Sequence, residues 1–184
     1  MDNKIKIIAI SGSLRNNSST TSILKHVTKL LPGIMDFTLY DGVGRLPHFD
    51  DNGNASAEVT AFRQLLTEAN GIIICQPEYA FGVAGSLKNA LDWTVSSGEM
   101  VNKPVALITA ATSGDKAHAA LLLTLKALSA KVVEEATLLI SFVRTKLDDK
   151  GEVINEEIIQ SLTSVVNALI KTIRETHEEK SLQN

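Results

Sequence analysis

The chain has 184 residues and a single cysteine, Cys75, so no internal disulfide can form, which agrees with a reducing compartment. Charge of one sign is also scarce. Eighteen Lys and Arg against 21 Asp and Glu leave a net charge of -3, which gives no basic field for a nucleic-acid backbone and no strongly acidic one. Long apolar runs are missing too: Ile5-Lys6-Ile7-Ile8-Ala9-Ile10 is too short for a signal core or a membrane span, and Lys6 interrupts it. No dinucleotide glycine fingerprint and no Gly-Lys-Ser/Thr triphosphate loop occurs. The four histidines have no ligand spacing with Cys75 or the acids, so no metal site is expected. With no repeat, low-complexity tract or linker, the expectation is one soluble, cytoplasmic domain over residues 1–184.

What is present centres on one stretch. Gly71-Ile72-Ile73-Ile74-Cys75 is a β-branched run without polar alternation, as suits a strand buried on both faces of a parallel sheet. The segment Gln76-Pro77-Glu78-Tyr79-Ala80-Phe81-Gly82-Val83-Ala84-Gly85 leaves it as a loop. Pro77 supplies no N–H, Gly82 and Gly85 lift the Cβ restriction, and Tyr79 and Phe81 place two aromatics where a flat ligand could be covered. Cys75 reads as a small apolar residue ending the strand, since no second cysteine or adjacent histidine accompanies it.

Taken in order, Lys4 to Ser11 predicts a strand, Thr20 to Leu31 a helix, Met35 to Tyr40 a strand, and Asp41 to Asn54 a long irregular loop placed to cover a site. A helix to Ala69, the Gly71 strand, a helix from Ser86 to Val95 and a strand from Pro104 to Ala110 follow. A helix from Lys116 to Leu128, a fifth strand from Lys131 to Ile140 and a last helix from Glu156 to Thr176 complete the chain, with a polar end from His177 outside it. The leucines between Leu121 and Leu128 surround more than one helix face, which suits deep burial or a subunit interface. Five strands alternating with five helices predict an α/β flavodoxin-like three-layer sandwich, a parallel sheet of order 2-1-3-4-5 with helices on both faces. In that order the loops after strands one and three face one another across the crevice where ligands bind.

The loop after strand one carries Ser11, Ser13, Ser18, Ser19, Thr20 and Thr21 together with Arg15, ahead of a helix N-terminus. An ordinary N-cap needs one hydroxyl. The surplus and the guanidinium suit a phosphate monoester.

Ser11-Gly12-Ser13-Leu14-Arg15-Asn16-Asn17-Ser18, followed by Pro77-Glu78-Tyr79 and Gly85-Ser86-Leu87-Lys88-Asn89-Ala90-Leu91-Asp92-Trp93, resembles the NADPH-dependent FMN reductases, flavodoxin-like flavoproteins that include quinone, azo-dye and chromate reductases. The resemblance spans nearly the whole chain. It implies FMN as cofactor, with NADPH or NADH as donor. Ser13, Arg15, Ser18 and Thr20 would take the phosphate, and Pro77, Glu78, Tyr79 and Phe81 the isoalloxazine ring. Ala111, Thr112, Ser113 and Gly114 would border its other side. Ser11, Ser19, Ala80 and Gly82 are counted with the cofactor-binding segments in which they sit. The implied reaction is a two-stage exchange: hydride passes from the nicotinamide to flavin N5, then to a quinone, azo compound, metal oxyanion or other small acceptor at the same face. No side chain is assigned as catalytic acid or base, because Glu78 serves equally as a cap. The resemblance also implies a homodimer or homotetramer.

Three departures from the family pattern stand out. Ala80 and Thr20 occupy positions where asparagine is frequent, and Asp115-Lys116-Ala117-His118 follows Gly114 where the family commonly has an arginine. The rival reading is a flavodoxin-type electron carrier without nicotinamide turnover, against which Arg15 and the modest net charge count. Lys88, Asn89, Asp92 and Trp93 read as solvent-facing or packing residues, and His48 and His118 as plain surface residues.

Overall fold

The computed structural model describes residues 4–52 and 55–182, so the last two residues of the Asp41 to Asn54 loop and the first three of the chain lie outside the described residues. Five parallel strands form one sheet, β1 Lys6–Ser11, β2 Asp36–Tyr40, β3 Gly71–Gln76, β4 Val105–Ala110 and β5 Thr137–Ile140, in the order β2-β1-β3-β4-β5. The helices are α1 Ser19–Leu30, α2 Ala57–Glu68, α3 Gly85–Asp92, α4 Asp115–Ala127 and α5 Glu156–Leu182. This is the flavodoxin-like arrangement that the element pattern predicts.

The central strands β3 and β4 are buried at every position because both faces are covered, and the period of two along the strands splits the core. Ile8, Ile10, Ile72, Ile74 and Leu107 pack with α2, α3 and α4. Ile7, Ala9, Ile73, Cys75 and Ile108 point the other way, to α1 and α5. Burying one such isoleucine contributes about 1.5–3 kcal/mol. Cys75 lies fully inside this second layer, where burial pushes its thiol pKa up, so it packs as the apolar residue that the sequence suggests.

Two boundaries differ from expectation. The fifth strand begins at Thr137 and not at Lys131: Lys131 makes one bridge to Pro104, and a 3₁₀ turn over Glu134–Ala136 follows. That turn leaves Glu134 and Glu135 in solvent, which the edge of a covered sheet would not. The last helix continues past Thr176 to Leu182. Its final turns have partners, since Asn70 Nδ2 lies 2.9 Å from His177 Nε2 and Glu179 pairs with Lys131 at 3.0 Å.

The long loop packs sideways. Val43 and Leu46 are buried in the core, Trp93 Nε1 and Asn89 Nδ2 both donate to the Pro47 carbonyl (2.8 and 2.9 Å), and the Phe49 N–H donates to Asn89 Oδ1 at 2.7 Å. Phe49 meets Trp93 edge to face with centroids 5.2 Å apart. Asn89 of α3 and Trp93 at its C-cap therefore anchor this loop against the helix layer, and its described residues stay off the cleft that β1 and β3 open. On α4, Leu121 and Leu125 are buried while Leu123 is exposed, so one face is core and another is open.

Candidate functional site

At the carboxyl end of β1 the chain passes very close to β3. A Cβ on Gly12 would come within 3.1 Å of Gln76 and of Pro77 Cδ, and the Gly12 N–H donates to the Cys75 carbonyl at 2.8 Å. This contact sets the two loops side by side at the point where the sheet order reverses.

The hydroxyls after β1 divide into two kinds. Thr20 Oγ1 lies 2.9 Å from Ser11 Oγ and 2.8 Å from Ser18 Oγ, and Ser18 Oγ accepts the Thr21 N–H at 3.2 Å as the N-cap of α1. Ser18 is 2% and Thr20 1% exposed, so these groups chiefly lock the loop. Ser13 Oγ accepts the Arg15 N–H at 3.3 Å. What remains open is an anion cradle. The Ser19 hydroxyl, the Arg15 guanidinium and the first-turn amides of Ser19 and Thr20 have no partner among the described residues, and α1 carries no acid in its first turn.

After β3, Pro77 leads into a tight turn in which Tyr79 and Gly82 exchange backbone bonds of 3.3 and 3.0 Å. Both central residues have left-handed φ, Ala80 at 49° and Phe81 at 59°. This is a two-residue hairpin turn of the kind normally filled by Asn-Gly, here built from two ordinary L-residues at a cost of about 1–2 kcal/mol each. The sequence reading put the conformational freedom on Gly82 and Gly85, and that is corrected. Neither has positive φ, and a Cβ on Gly85 would meet nothing within 4 Å. The turn holds Phe81 78% exposed and Tyr79 51% exposed.

Glu78 Oε2 accepts the Ala117 N–H at 3.0 Å, so this carboxylate caps α4 and not the turn that follows it. Gly114 begins α4 with φ 97°, and a Cβ there would sit 2.7 Å from Leu139 Cδ1. Ser113 Oγ donates to Asp115 Oδ1, and Ser141 Oγ donates to the Ser113 carbonyl. Ser113 and Gly114 therefore shape the third loop from behind.

A cleft of ≈ 280 Å³ joins these parts, lined by Ser13, Arg15, Ser18, Ser19 and Thr20, by Pro77, Glu78 and Tyr79, and by Ala110, Ala111 and Thr112. Ser11, Ala80, Phe81, Gly82, Ser113 and Gly114 border those segments without lining it. A fourth wall, Phe142 to Thr145, was not anticipated. It brings Arg144 to the cleft, so Arg15 is not its only cation. A lone aromatic and a lone arginine after the edge strand are the only sequence signal for it.

His48 is exposed and away from the cleft. His118 is half-buried behind it, in a polar chain. Gln76 Nε2 donates to the Ala117 carbonyl (2.8 Å) and to Thr109 Oγ1 (3.3 Å), and Thr109 Oγ1 lies 2.9 Å from His118 Nδ1, to which it donates when the ring carries its proton on Nε2. Burial lowers the His118 pKa, in keeping with a neutral ring carrying its proton on Nε2. Gln76 Oε1 is buried without a partner.

A cradle for a phosphate monoester beside an apolar strip, at the switch point of a 2-1-3-4-5 parallel sheet, defines a flavodoxin-like mononucleotide-binding protein. The donor set fits FMN: amides, hydroxyls and guanidinium for its phosphate, Pro77, Tyr79 and the Ala110 to Thr112 wall for its ring. The quinone reductase of Escherichia coli K12 is 27% identical over 178 residues, 91% of this chain and 95% of that protein. An NAD(P)H-dependent FMN reductase of Pseudomonas aeruginosa is 28% identical over 185 residues, 95% of this chain and all (100%) of that protein. Among solved structures, FerB, a flavoenzyme NAD(P)H:(acceptor) oxidoreductase from Paracoccus denitrificans, superposes with a TM-score of 0.82 at 24% identity, covering 93% of this chain and 98% of FerB. The chain belongs to the NADPH-dependent FMN reductase family, whose model matches residues 5–145. It is accordingly an oxidoreductase that uses FMN with a nicotinamide donor and a small-molecule acceptor. No helix among the described residues is long and apolar enough to cross a membrane.

Proposed function

We propose that this protein reduces quinone-like acceptors with electrons from NADPH or NADH, using FMN held in the cleft between β1, β3, β4 and the turn after β5. The observation that carries the reading is the convergence of an unpaired guanidinium, an unpaired hydroxyl and two open helix-end amides on the same cleft as Pro77 and Tyr79. Ser13, Arg15, Ser18, Ser19 and Thr20 hold the phosphate. Pro77, Glu78, Tyr79 and Thr112 line the ring, Ala80, Phe81 and Gly82 form its outer rim, and Ser11, Ser113 and Gly114 stiffen the loops behind.

FMN held there would supply the redox chemistry, hydride acceptance at N5 and electron delivery to the acceptor. The protein's part is to fix the ring against β3 and β4 and to leave an approach beside Tyr79 and Phe142, both exposed. Glu78 takes no proton in this scheme, because its carboxylate is engaged by the Ala117 amide. The chain acts as a single domain in the cytoplasm and assembles as a homodimer or homotetramer. Val95, Val101 and Leu123 are among the exposed apolar groups available for that assembly.

The test is anaerobic absorbance of the protein loaded with FMN and desalted. Bleaching by NADPH and recovery on adding a quinone are expected. A bound flavin that neither nicotinamide bleaches would overturn the reading in favour of an electron carrier, and loss of flavin on desalting would remove FMN from the cleft.

A further inference from the structure

We infer that Arg144 is a second positioning cation for the flavin phosphate, supplied from the turn after β5 to the cradle that Arg15 and α1 begin. The inference rests on the proposed seat of FMN. Arg144 lines the same cleft as Ser18, Ser19 and Thr20, although more than 120 positions of sequence separate them. Its guanidinium is exposed and has no hydrogen-bond or ion-pair partner among the described residues.

The turn that carries it is fixed. The Phe142 N–H donates to the Thr112 carbonyl (3.0 Å), Val143 N–H to Ala111 (3.1 Å), and Thr145 N–H to Phe142 (2.9 Å), with Val143 buried beneath. Phe142 is held at φ 51° while its side chain stays 65% exposed, so core packing does not explain the unfavourable backbone. Such strain persists where the surrounding structure imposes it, and here it aims the next residue but one at the cleft.

Nearby acids do not neutralise Arg144. It also borders a second hollow of ≈ 560 Å³ whose acids are Asp148, Asp149 and Glu152. The Asp148 carboxylate accepts the Lys150 and Glu152 amides, and Glu152 pairs with Lys29. A phosphate monoester carries about -1.5 to -2 at neutral pH. One arginine and a helix end offset part of that charge, and a second guanidinium from the opposite wall brings the site near balance. The same chemistry belongs to the 2′-phosphate of NADPH. The flavin is favoured because Arg144 lines the same cleft as the amide cradle of α1.

Apoprotein is titrated with FMN and with riboflavin, which lacks the phosphate, following flavin fluorescence, for the wild type, Arg144→Ala, Arg144→Lys and Arg15→Ala. Arg144→Ala is expected to weaken FMN about tenfold or more while riboflavin affinity stays unchanged, and Arg144→Lys to recover part of the loss. Unchanged riboflavin binding in the same variant also reports an intact cleft. Equal weakening of both flavins, or of neither, overturns the assignment. So does an unchanged FMN affinity with a raised KM for NADPH but not NADH, which would give Arg144 to the nicotinamide donor. If the wild type itself does not prefer FMN to riboflavin and Arg15→Ala changes nothing, the seat of FMN fails as well, and the two failures are told apart.

Discussion

The two loops that meet at Gly12 are built on opposite principles. The loop after β1 is closed by its own hydrogen bonds: Ser11, Ser18 and Thr20 satisfy one another, the last two out of water, and none of its residues has a left-handed backbone. The loop after β3 has few side-chain bonds and keeps Ala80 and Phe81 in a conformation that L-residues avoid, with both of its aromatics in solvent. A charged phosphate is best met by donors fixed in advance, because their reorganisation would otherwise reduce the affinity. A ring that different substrates must reach in turn suits a surface that is apolar and open. With FMN seated as proposed, the difference between the loops follows the difference between the two ends of the ligand.

Four changes break or sharpen that contrast. Arg15→Ala has the largest expected effect: FMN affinity falls about tenfold to a hundredfold, the loss of a charge-assisted bond, while unfolding of the apoprotein in urea stays within about 0.5 kcal/mol of wild type. Stability that dropped with affinity would mean Arg15 braces the loop and does not meet the ligand. Thr20→Val removes the shared partner of the buried Ser18 and part-buried Ser11 hydroxyls and should destabilise the apoprotein by about 1–3 kcal/mol in the same urea experiment. A neutral result would show that the loop is not held by this chain of hydroxyls.

On the other side of the crevice, Ala80→Gly should stabilise by about 0.5 kcal/mol, since relief of the left-handed φ outweighs the added freedom of the unfolded chain. Destabilisation would indicate that the turn is not strained. The smallest effect is that of pH. Burial depresses the His118 pKa, so the unfolded chain binds its proton first, and the stability this site contributes is complete above the ordinary value of 6.5 and is lost as pH falls from there through the lower folded value. His118→Gln should therefore flatten the decline of unfolding free energy below about pH 6.5 relative to wild type. An unchanged slope would exclude His118 from it. His26, whose pKa burial also lowers, remains in both proteins and supplies the residual slope.

The sheet was legible because its signal is local: Gly71 to Cys75 and Val105 to Ala110 run without polar alternation, Thr109 being the one polar residue, as suits a doubly covered strand. The order of the strands followed from the alternation of elements and the length of the chain. Much of the site was legible for the same reason, since Ser13 to Thr20 and Pro77 to Tyr79 are contiguous segments. Tertiary placement was not. The partner of Glu78 is 39 positions away in α4, and nothing near it in sequence indicates that bond. Arg144 follows an edge strand that the sequence made too long, and only the pairing of β4 with β5 brings it to the cleft. The strain at Ala80 and Phe81 was assigned to the neighbouring glycines because glycine is the usual bearer of positive φ. Here the turn was built without it.

The measurement that tests the central claim most directly is a crystal structure of the protein soaked with FMN. The account predicts the phosphate within hydrogen-bonding distance of the Ser19 and Thr20 amides and of Arg15, with the ring against Pro77 and Tyr79. A phosphate seated elsewhere, or a ring that enters by the α1 side of the cleft, would contradict the division of labour between the two loops.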